Sequence, residues 1–260
     1  MRETWQRRID RAVHLSKEDS AARPLLQAYG AMLSLQRDCA EALERSPHRF
    51  TGSVRGDLPV LRPCAWPLLR GVTAVGSAEI AEAARRIIDG GDQAIDDLLI
   101  AGWQEPSGHA FLAKLALQPY AAHLHTIDVH PIDRDRPRGS GACPFCGGAP
   151  QLAILESAAA ADGGGRRLLC ALCLTAWPFR RVLCAHCGEE DERQLGYFHA
   201  PAFEHLRVDA CETCRHYVKT IDLGCVGIAV PLVDEIAGGA LDVWASQRGY
   251  EKIELNLLGM

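Results

Sequence analysis

The sequence predicts an α plus small β protein, in which an N-terminal helical domain is followed by two small cysteine-rich modules in tandem and a C-terminal helix. Apolar residues recur at helical spacing through the first half, four Cys-x2-Cys pairs follow, and a last apolar stripe lies in the tail. The expected boundaries are 1–135 for the helical domain, 140–180 and 181–224 for the two modules, and 225–260 for the C-terminal helix and tail.

Composition indicates an ordinary globular chain, with 48% hydrophobic and 23% charged residues. The charged start "MRETWQRRID" predicts no signal peptide, and the apolar run "GCVGIAVPLV" is too short to span a bilayer. We therefore expect a cytoplasmic protein without a membrane span. Its eleven cysteines then favour metal binding over disulfides, because the cytosol keeps thiols reduced.

The N-terminal half carries several amphipathic stripes, which we interpret as helix-bundle core. One stripe consists of Leu25, Leu26, Tyr29, Met32, Leu33, Cys39 and Leu43. The next segment, "LPVLRPCAWPLLRGV", contains three prolines, and we expect an extended connection there.

Helical pattern returns after Ser77, a good N-cap residue, and stops at Gly90 and Gly91. Asp92 and Ser107 are expected to begin two further helices, the second kinked or restarted by Pro119. A charged and then Pro- and Gly-rich segment, "HPIDRDRPRGSGA", has the composition of a linker.

The four cysteine pairs form a tandem duplication. They are Cys143/Cys146, Cys170/Cys173, Cys184/Cys187 and Cys211/Cys214. Each cysteine of the first two pairs, moved forward by 41 residues, coincides with a cysteine of the last two pairs, and 23 residues separate the inner cysteines of each unit. Such an internal repeat predicts two similar modules.

Two Cys-x2-Cys turns can place four thiolates around one ion at metal–sulfur distances of about 2.3 Å. The glycine after the second cysteine in "CPFCGG" and "CAHCGE" permits a tight turn. A module of about 40 residues cannot bury enough surface to fold alone, so the ion would act as its core. Sequential pairing lets each unit close its own site and is preferred, while interleaved pairing stays open.

Other readings are weaker. A redox dithiol would follow an apolar strand in a βαβ context, whereas Cys143 follows "GSGA". Single cysteines at 39, 64 and 225 are interpreted as ordinary small hydrophobes, and the histidines at 123, 125 and 130 as ordinary surface or core residues whose His-x-His spacing suits a strand. The arginine pairs at 166/167 and 180/181 would be solvated or would offset a negative metal site.

Charge disfavours a nucleic-acid partner. Between Cys143 and Cys214, six arginines and nine acidic residues give −3, and two ions each held by four thiolates would bring the total to about −7. The whole chain carries −5. A nucleic-acid-binding module would show a basic face instead.

The segments "CPFCGG", "CALCLTAWPFRRVLCAHCG" and "CETCRHYVKTID", with the tail "VPLVDEIAGGALDVWASQRGYEKIELNLLGM", resemble the formate dehydrogenase accessory protein FdhE family. The resemblance covers nearly half of the chain, from Cys143 to the end, and includes all eight paired cysteines. The other positions that follow the family pattern are Trp177, Arg181, Val182, Tyr217, Lys219, Leu241, Asp242, Gly249, Tyr250 and Asn256.

This resemblance implies a cytoplasmic factor that contacts the catalytic subunit of formate dehydrogenase and is needed for its activity. It implies rubredoxin-like modules, or zinc-ribbon-like ones, that hold two metal ions, with iron favoured and zinc the alternative. One ion would be bound by Cys143, Cys146, Cys170 and Cys173, and the other by Cys184, Cys187, Cys211 and Cys214. The tail "LVDEIAGGALDVWASQRG" is expected to form one amphipathic helix ending at Gly249 and to pack on the modules or on the helical half.

Three functions compete at this point: a non-catalytic maturation factor, an iron-tetrathiolate redox protein acting during maturation, and a zinc-ribbon scaffold for another partner. The chain shows no catalytic triad, phosphate loop or paired acid–base carboxylates, and we expect no enzyme activity and no other cofactor. Thiolate tetrahedra suit both zinc and iron, so the sequence leaves the metal open.

Overall fold

The computed structural model describes residues 2–18, 20–104, 111–134, 141–156 and 165–260. The chain divides into two compact units, one formed by residues 1–135 and 257–259 and the other by residues 136–256 and 260. The four-part division predicted from the sequence stays a prediction. The centre of the predicted linker, like the helix start expected at Ser107, lies outside the described residues.

The first unit is helical, as predicted. Its described helices are α1 Arg2–Leu15, α2 Arg23–Arg45, α3 Val54–Val75, α4 Ala78–Asp89, α5 Gly91–Gln104 and α6 Phe111–Thr126. The predicted stripe on α2 is buried except for Leu25, which is partly exposed at the start of the helix. Ser77 caps α4 as expected, because its side chain accepts a hydrogen bond from the Ile80 N–H.

Helix α6 supplies much of this unit's core. It is buried on nearly all sides, which is typical of a central helix. The fully buried rings of Trp103 and Tyr120 pack with centroids 5.2 Å apart, and the Tyr120 hydroxyl donates a 2.7 Å hydrogen bond to the buried Asp57. Asp57 also accepts a hydrogen bond from the Thr51 N–H and so fixes the start of α3.

The extended connection expected at the three prolines is wrong, because this segment forms the middle of α3. Pro59, Pro63 and Pro67 recur every fourth residue and all lie on the exposed side of the helix. Each proline leaves one carbonyl without its helical N–H partner, and on this face water can satisfy that carbonyl. The opposite face buries Leu61 and Val72 and keeps the helix in place.

The prediction that the His-x-His spacing of His123 and His125 suits a strand is also wrong, since both residues lie in the last turn of α6. Pro119 lies inside this helix without ending it. The ring of His123 packs against Phe50, with centroids 4.6 Å apart, and burial lowers the pKa of His123. It is a core histidine, as interpreted from the sequence.

The second unit contains a mostly antiparallel sheet. Its strands are β1 Pro150–Leu155, β2 Arg166–Cys170, β3 Ala176–Phe179, β4 Leu195–His199, β5 Leu206–Cys211, β6 His216–Asp222 and β7 Glu251–Lys252. In the described part of the chain their order is β3-β2-β1-β6-β5-β4, with β7 also paired to β6. Each repeat therefore supplies three consecutive antiparallel strands.

The two repeats share this single sheet because β1 pairs in parallel with β6, the last strand of the second repeat. Leu152 lies opposite Lys219 in this register, and Leu155 lies opposite Asp222. Every residue of β1 is buried, whereas β4 forms a partly exposed edge of the sheet.

The single C-terminal helix expected from the tail is replaced by two, α7 Pro231–Ala237 and α8 Gly239–Gln247. The break falls at adjacent glycines, which weaken a helix, and a Cβ on Gly238 would lie 2.6 Å from Leu206 Cδ1. Leu232 of α7 packs on the first repeat, and Leu241 of α8 on the second. The expected packing of the tail on the cysteine modules is thus observed.

The predicted fold class, a helical half followed by a small sheet with two cysteine clusters, is confirmed. Among the described helices, none combines the length and the apolar character that crossing a bilayer requires.

Candidate metal centres

The eight paired cysteines come together in two clusters. The first cluster consists of Cys143, Cys146, Cys170 and Cys173, and the second of Cys184, Cys187, Cys211 and Cys214. Within each cluster the sulfur atoms all lie within 4.8 Å of one another. The pairing is sequential rather than interleaved, so each 41-residue repeat closes its own cluster.

The sulfur separations are close to those of a tetrahedral metal site. Cys143 and Cys173 Sγ lie 3.5 Å apart in the first cluster, and Cys184 and Cys214 Sγ lie 3.8 Å apart in the second. Four sulfurs at about 2.3 Å from one ion would be separated by about 3.8 Å. A disulfide would bring two sulfurs to about 2 Å, so these side chains are free thiols.

All four Cys-x2-Cys turns end in the same backbone conformation. The residue after the second cysteine has a positive φ in each: 73° at Gly147, 59° at Leu174, 80° at Gly188 and 59° at Arg215. Glycine adopts this conformation freely, which is why the sequence revealed it at only two of the four turns. Leu174 and Arg215 adopt it at a steric cost that the surrounding sheet must offset.

Backbone groups approach the first cluster closely. The Gly148 and Leu172 N–H groups donate to the sulfurs of Cys146 and Cys170 at 3.4 and 3.3 Å. A Cβ on Gly148 would lie only 2.9 Å from the Cys170 sulfur. Glycine therefore lets the backbone reach the thiols, and its N–H favours their ionised form. In the second cluster the His186 N–H donates to the Cys184 sulfur at 3.4 Å.

The thiols also shift one another's pKa. Hydrogen bonds from the neighbouring thiols, that of Cys146 first, lower the pKa of Cys143, whereas burial raises the pKa of Cys170. Burial likewise raises the pKa of Cys214. Four thiolates this close repel one another, so they ionise together only around a cation. The donor set fits a zinc or iron ion, and two such clusters could hold two ions.

The arginine pairs are mostly engaged in ion pairs. Arg180 binds Glu190 at 2.6 Å and Arg167 binds Glu156 at 3.4 Å. Arg166 is buried and reaches from the first repeat toward the second, where it pairs with Asp209 at 3.4 Å and donates to the Leu183 carbonyl beside Cys184. Burial lowers the pKa of Arg166, although Asp209 opposes this shift.

Two histidines beside the second cluster were missed from the sequence. His186 lies inside the third Cys-x2-Cys turn, and His216 lies two residues after Cys214. Their rings stack with centroids 3.6 Å apart and planes 9° apart. The available signal was their position next to the cysteine pairs.

The remaining cysteines and histidines stay apart from these clusters. Within the described ranges, no metal-ligand group includes Cys39, Cys64, Cys225 or the histidines at 123, 125 and 130. A hydrogen bond between the thiols of Cys39 and Cys64 raises the pKa of Cys39 and lowers that of Cys64. Cys225 is exposed near Asp222, whose charge raises its pKa.

A buried polar network lies at the seam between the repeats. Its centre is Glu235 on α7, which pairs with Lys219 at 2.8 Å and with Lys252, and accepts a 2.9 Å hydrogen bond from Asn256. Lys219 also pairs with Asp242. The other network members are Tyr217, which donates to Asp242, and Gln151, which donates to Glu235. Several positions singled out by the resemblance therefore meet here and tie the tail to β6.

Fold and site together define a protein with a helical unit and a sheet unit that carries two tetracysteine clusters of metal-site geometry. Residues 142–181 match the model of the FdhE central domain, and residues 182–258 match that of the FdhE C-terminal domain. From residue 142 to residue 258 the chain is thus similar to the FdhE family, and the resemblance expected from the sequence is confirmed over that part of the chain.

Individual relatives agree with this assignment. A protein FdhE homolog of Aquifex aeolicus is 36% identical over 117 residues, which cover 45% of this chain and 41% of the relative. One of Pseudomonas putida is 32% identical over 167 residues, covering 62% of this chain and 52% of the relative. The chain thus matches about half of the length of these relatives.

The crystal structure of the FdhE protein from Pseudomonas aeruginosa has the same fold. It superposes with a TM-score of 0.71 at 21% identity, covering 99% of this chain and 96% of the other.

Proposed function

We propose that this protein is a cytoplasmic, non-catalytic maturation factor for formate dehydrogenase that binds the catalytic subunit of that enzyme. Similarity to the FdhE family over residues 142–258 supports a role connected with formate dehydrogenase maturation. The observation that carries the proposal is the pair of tetracysteine clusters built into one sheet, because two bound ions would make the surface of the second unit depend on metal. The acidic charge of the chain argues for a protein client over nucleic acid.

The eight paired cysteines are proposed to hold two ions, four ligands to each. Iron is proposed by family resemblance, with zinc as the alternative. The bound ion would supply the cross-link between the two Cys-x2-Cys turns of each repeat. Backbone N–H groups of the chain donate to the cysteine sulfurs and so orient and stabilise the thiolates. These donors are at Gly148, Leu172 and His186.

The client surface is proposed to include the rim of the second cluster. Cys187 is exposed and Cys214 is half-buried, whereas all four cysteines of the first cluster are buried. The exposed His186 extends this rim. A partner that docked here would touch the metal centre directly, which it could not do at the first cluster.

A deletion and complementation experiment tests this function. Deleting the gene should abolish formate oxidation while the catalytic subunit is still made, and the intact gene should restore it. Cys187→Ser should fail to complement, because it removes a ligand of the exposed cluster. Cys225→Ser is the matched control, an exposed cysteine outside both clusters, and should complement fully. Unchanged formate oxidation in the deletion strain would refute the proposal.

Binding of the client is tested separately. A tagged protein should retain the formate dehydrogenase catalytic subunit on a column, and Cys187→Ser should reduce that retention while Cys225→Ser leaves it intact. Retention of the subunit by both variants alike would place the client surface elsewhere.

A second candidate is an iron-tetrathiolate redox protein acting during maturation. The exposure of Cys187 favours it, because an electron donor or acceptor could approach that sulfur. Zinc has no redox chemistry, so zinc-substituted protein separates the two functions. Zinc-loaded protein should support maturation if the centres only shape the surface, and should fail if they transfer electrons.

A further inference from the structure

Arg166 is a buried cation that reaches from the first repeat to the second cluster. Its side chain begins on β2 and is 5% exposed. The guanidinium donates a 3.1 Å hydrogen bond to the carbonyl of Leu183, the residue before Cys184. It also pairs at 3.4 Å with Asp209, which lies two residues before Cys211. Both contacts in the second repeat therefore adjoin segments that carry ligands of the second cluster.

A small cavity borders both Arg166 and the second cluster. Its walls include Asp209 and the two cysteines Cys184 and Cys211, and its volume of about 20 Å³ is close to what one water molecule needs. Little solvent can therefore screen the charges that face it. In the part of the chain that the structure describes, the buried Nε of Arg166 has no hydrogen-bond partner.

The charges beside this cavity leave an excess of positive charge. Asp209 pairs with Arg166 and also, at 2.7 Å, with Arg207, so two guanidinium groups share one carboxylate. Four thiolates around a divalent ion would leave about −2 on the second centre. Burial lowers the pKa of Arg166, while the charges of Asp209 and Cys184 oppose that shift. Arg181 also lines the cavity, but it is exposed, so solvent screens its charge.

The duplication shows that this arrangement belongs to one cluster. Arg166 and Arg207 lie 41 residues apart and thus occupy the same position in the two repeats, and both reach Asp209. The position in the first repeat that corresponds to Asp209 is Leu168, a fully buried apolar residue. Both copies of the arginine therefore serve the second repeat, whose cluster is the more exposed one.

We propose that Arg166 is a positioning residue for the second metal centre, where its buried positive charge offsets the negative charge of the four thiolates. The first repeat, through β2, thereby sets the metal affinity and the reduction potential of a centre whose ligands all come from the second repeat. This inference rests on the second cluster holding an ion, as proposed above, but not on any action toward formate dehydrogenase.

Metal affinity of the whole chain tests this role. Reduced, anaerobic apo protein is titrated with Co²⁺ against a chelator of known affinity, and both equivalents are followed by absorption. Arg166→Met keeps an apolar stem of similar length, and it should bind one equivalent normally and the other at least about tenfold more weakly. Arg167→Met removes the neighbouring guanidinium, which pairs with Glu156, and should bind both equivalents normally. In a Cys187→Ser background, where only the first centre is left, Arg166→Met should have no effect.

The reduction potential separates an effect of charge from an effect of packing. With iron in both centres, one-electron reduction takes each tetrathiolate from a formal charge of about −1 to about −2, so a nearby positive charge favours the reduced form. Arg166→Met should weaken ferrous binding relative to ferric binding about tenfold at one centre, which lowers its potential by about 59 mV. Arg166→Lys keeps the charge and should restore most of that loss.

A variant of opposite charge effect keeps the outcome decisive. Asp209→Asn removes a negative charge beside the same cluster and should raise the potential, whereas disturbed packing alone would move it in the same direction as Arg166→Met. Should Arg166→Met fold poorly, Asp209→Asn decides by itself, because an unchanged or lowered potential there contradicts the proposal.

The two levels of the proposal fail in different ways. Saturation of the wild type below two equivalents would overturn the tetracysteine centres, and the role of Arg166 with them. Two equivalents in the wild type, with the same affinities and potentials in Arg166→Met, would overturn the role of Arg166 alone.

Discussion

The two cysteine clusters share their spacing and their connectivity but differ in their exposure to solvent. The four cysteines of the first cluster are at most 3% exposed, whereas Cys187 in the second is exposed and Cys214 is half-buried. The sheet explains the difference. β1, the first strand of the first repeat, lies in the middle of the sheet, while its counterpart β4 forms an edge. Duplication supplied the same ligands twice, and the position in the sheet decided which set a partner can reach.

The two clusters are expected to differ most in how the loss of one cysteine ligand affects the folding of the sheet. Cys146→Ser, in the buried cluster, should abolish binding at that centre and unfold the sheet around it, because small zinc modules gain about 10–16 kcal/mol from their metal. Cys187→Ser should release the second ion but keep β1 and β2 paired. Metal content and circular dichroism of the two variants measure this. Equal loss of secondary structure in the two variants would show that both clusters contribute equally to the stability of the sheet.

The next largest loss of stability is expected on mutation of the buried polar network around Glu235, at the seam between the two repeats. Glu235→Gln leaves the two buried lysines, Lys219 and Lys252, to share the single carboxylate of Asp242 and should cost about 3–5 kcal/mol of unfolding free energy. Urea unfolding of metal-loaded protein measures this cost. Glu251→Gln, at an exposed carboxylate, is the control and should change stability by less than about 1 kcal/mol.

The Glu235 effect should also depend on pH. Burial raises the pKa of Glu235, but Lys219 and Lys252 outweigh burial and lower it to about 2 from the ordinary value of 4.5. The ionised carboxylate therefore stabilises the fold above pH 4.5, and this stabilisation is lost as the pH falls toward 2. The stability gap between wild type and Glu235→Gln should narrow over that range. A gap independent of pH would contradict the ion-pair explanation.

Metal release should distinguish the clusters by rate. A chelator should extract the ion of the exposed second cluster at least about tenfold faster than that of the first, a difference of about 1.4 kcal/mol in activation free energy. Two phases of release, the fast one absent in Cys187→Ser, are expected in a stopped-flow experiment with a coloured chelator. A single phase would mean that burial does not control exchange.

The smallest expected effect concerns the close approach of the Gly148 backbone to the sulfurs of the first cluster. Gly148→Ala would place a methyl group 2.9 Å from the Cys170 sulfur and should weaken the first centre by about 1 kcal/mol. The equivalent position in the second repeat is Glu189, so that centre already accepts a Cβ there. Competition with a chelator of known affinity measures the change, and Gly165→Ala, where a Cβ meets nothing within 4 Å, is the control.

Much of the candidate site was predictable because metal ligation depends on local spacing. The Cys-x2-Cys turns, their sequential grouping and the two glycine turns at Gly147 and Gly188 all follow from residues close together in the chain. The parallel pairing of β1 with β6 was not predictable, because it joins distant segments whose own patterns do not identify their partner. The left-handed conformations of Leu174 and Arg215 could not be predicted from the sequence either, because tertiary packing rather than the residue type imposes them.

Two segments, α3 and the tail, show where tertiary packing outweighed the local sequence pattern. Three prolines indicated a break, yet their common exposed face let α3 continue across them. Adjacent glycines in the tail were predicted to lie within one helix, yet two helices meet there, where a Cβ on Gly238 would lie 2.6 Å from Leu206 Cδ1. In both places the burial of one face decided the outcome, and a single sequence does not show which face is buried.

The parallel pairing of β1 with β6 has a consequence for biosynthesis. The chain leaves the ribosome from its N-terminus, so β1 emerges before β6. Until β6 follows, β1 has an unpaired edge and its buried side chains face water, a state that favours aggregation. The half of the sheet that ends up most protected is therefore the one that waits longest for its neighbour, and early capture of an ion by the nascent first repeat would shorten that vulnerable interval.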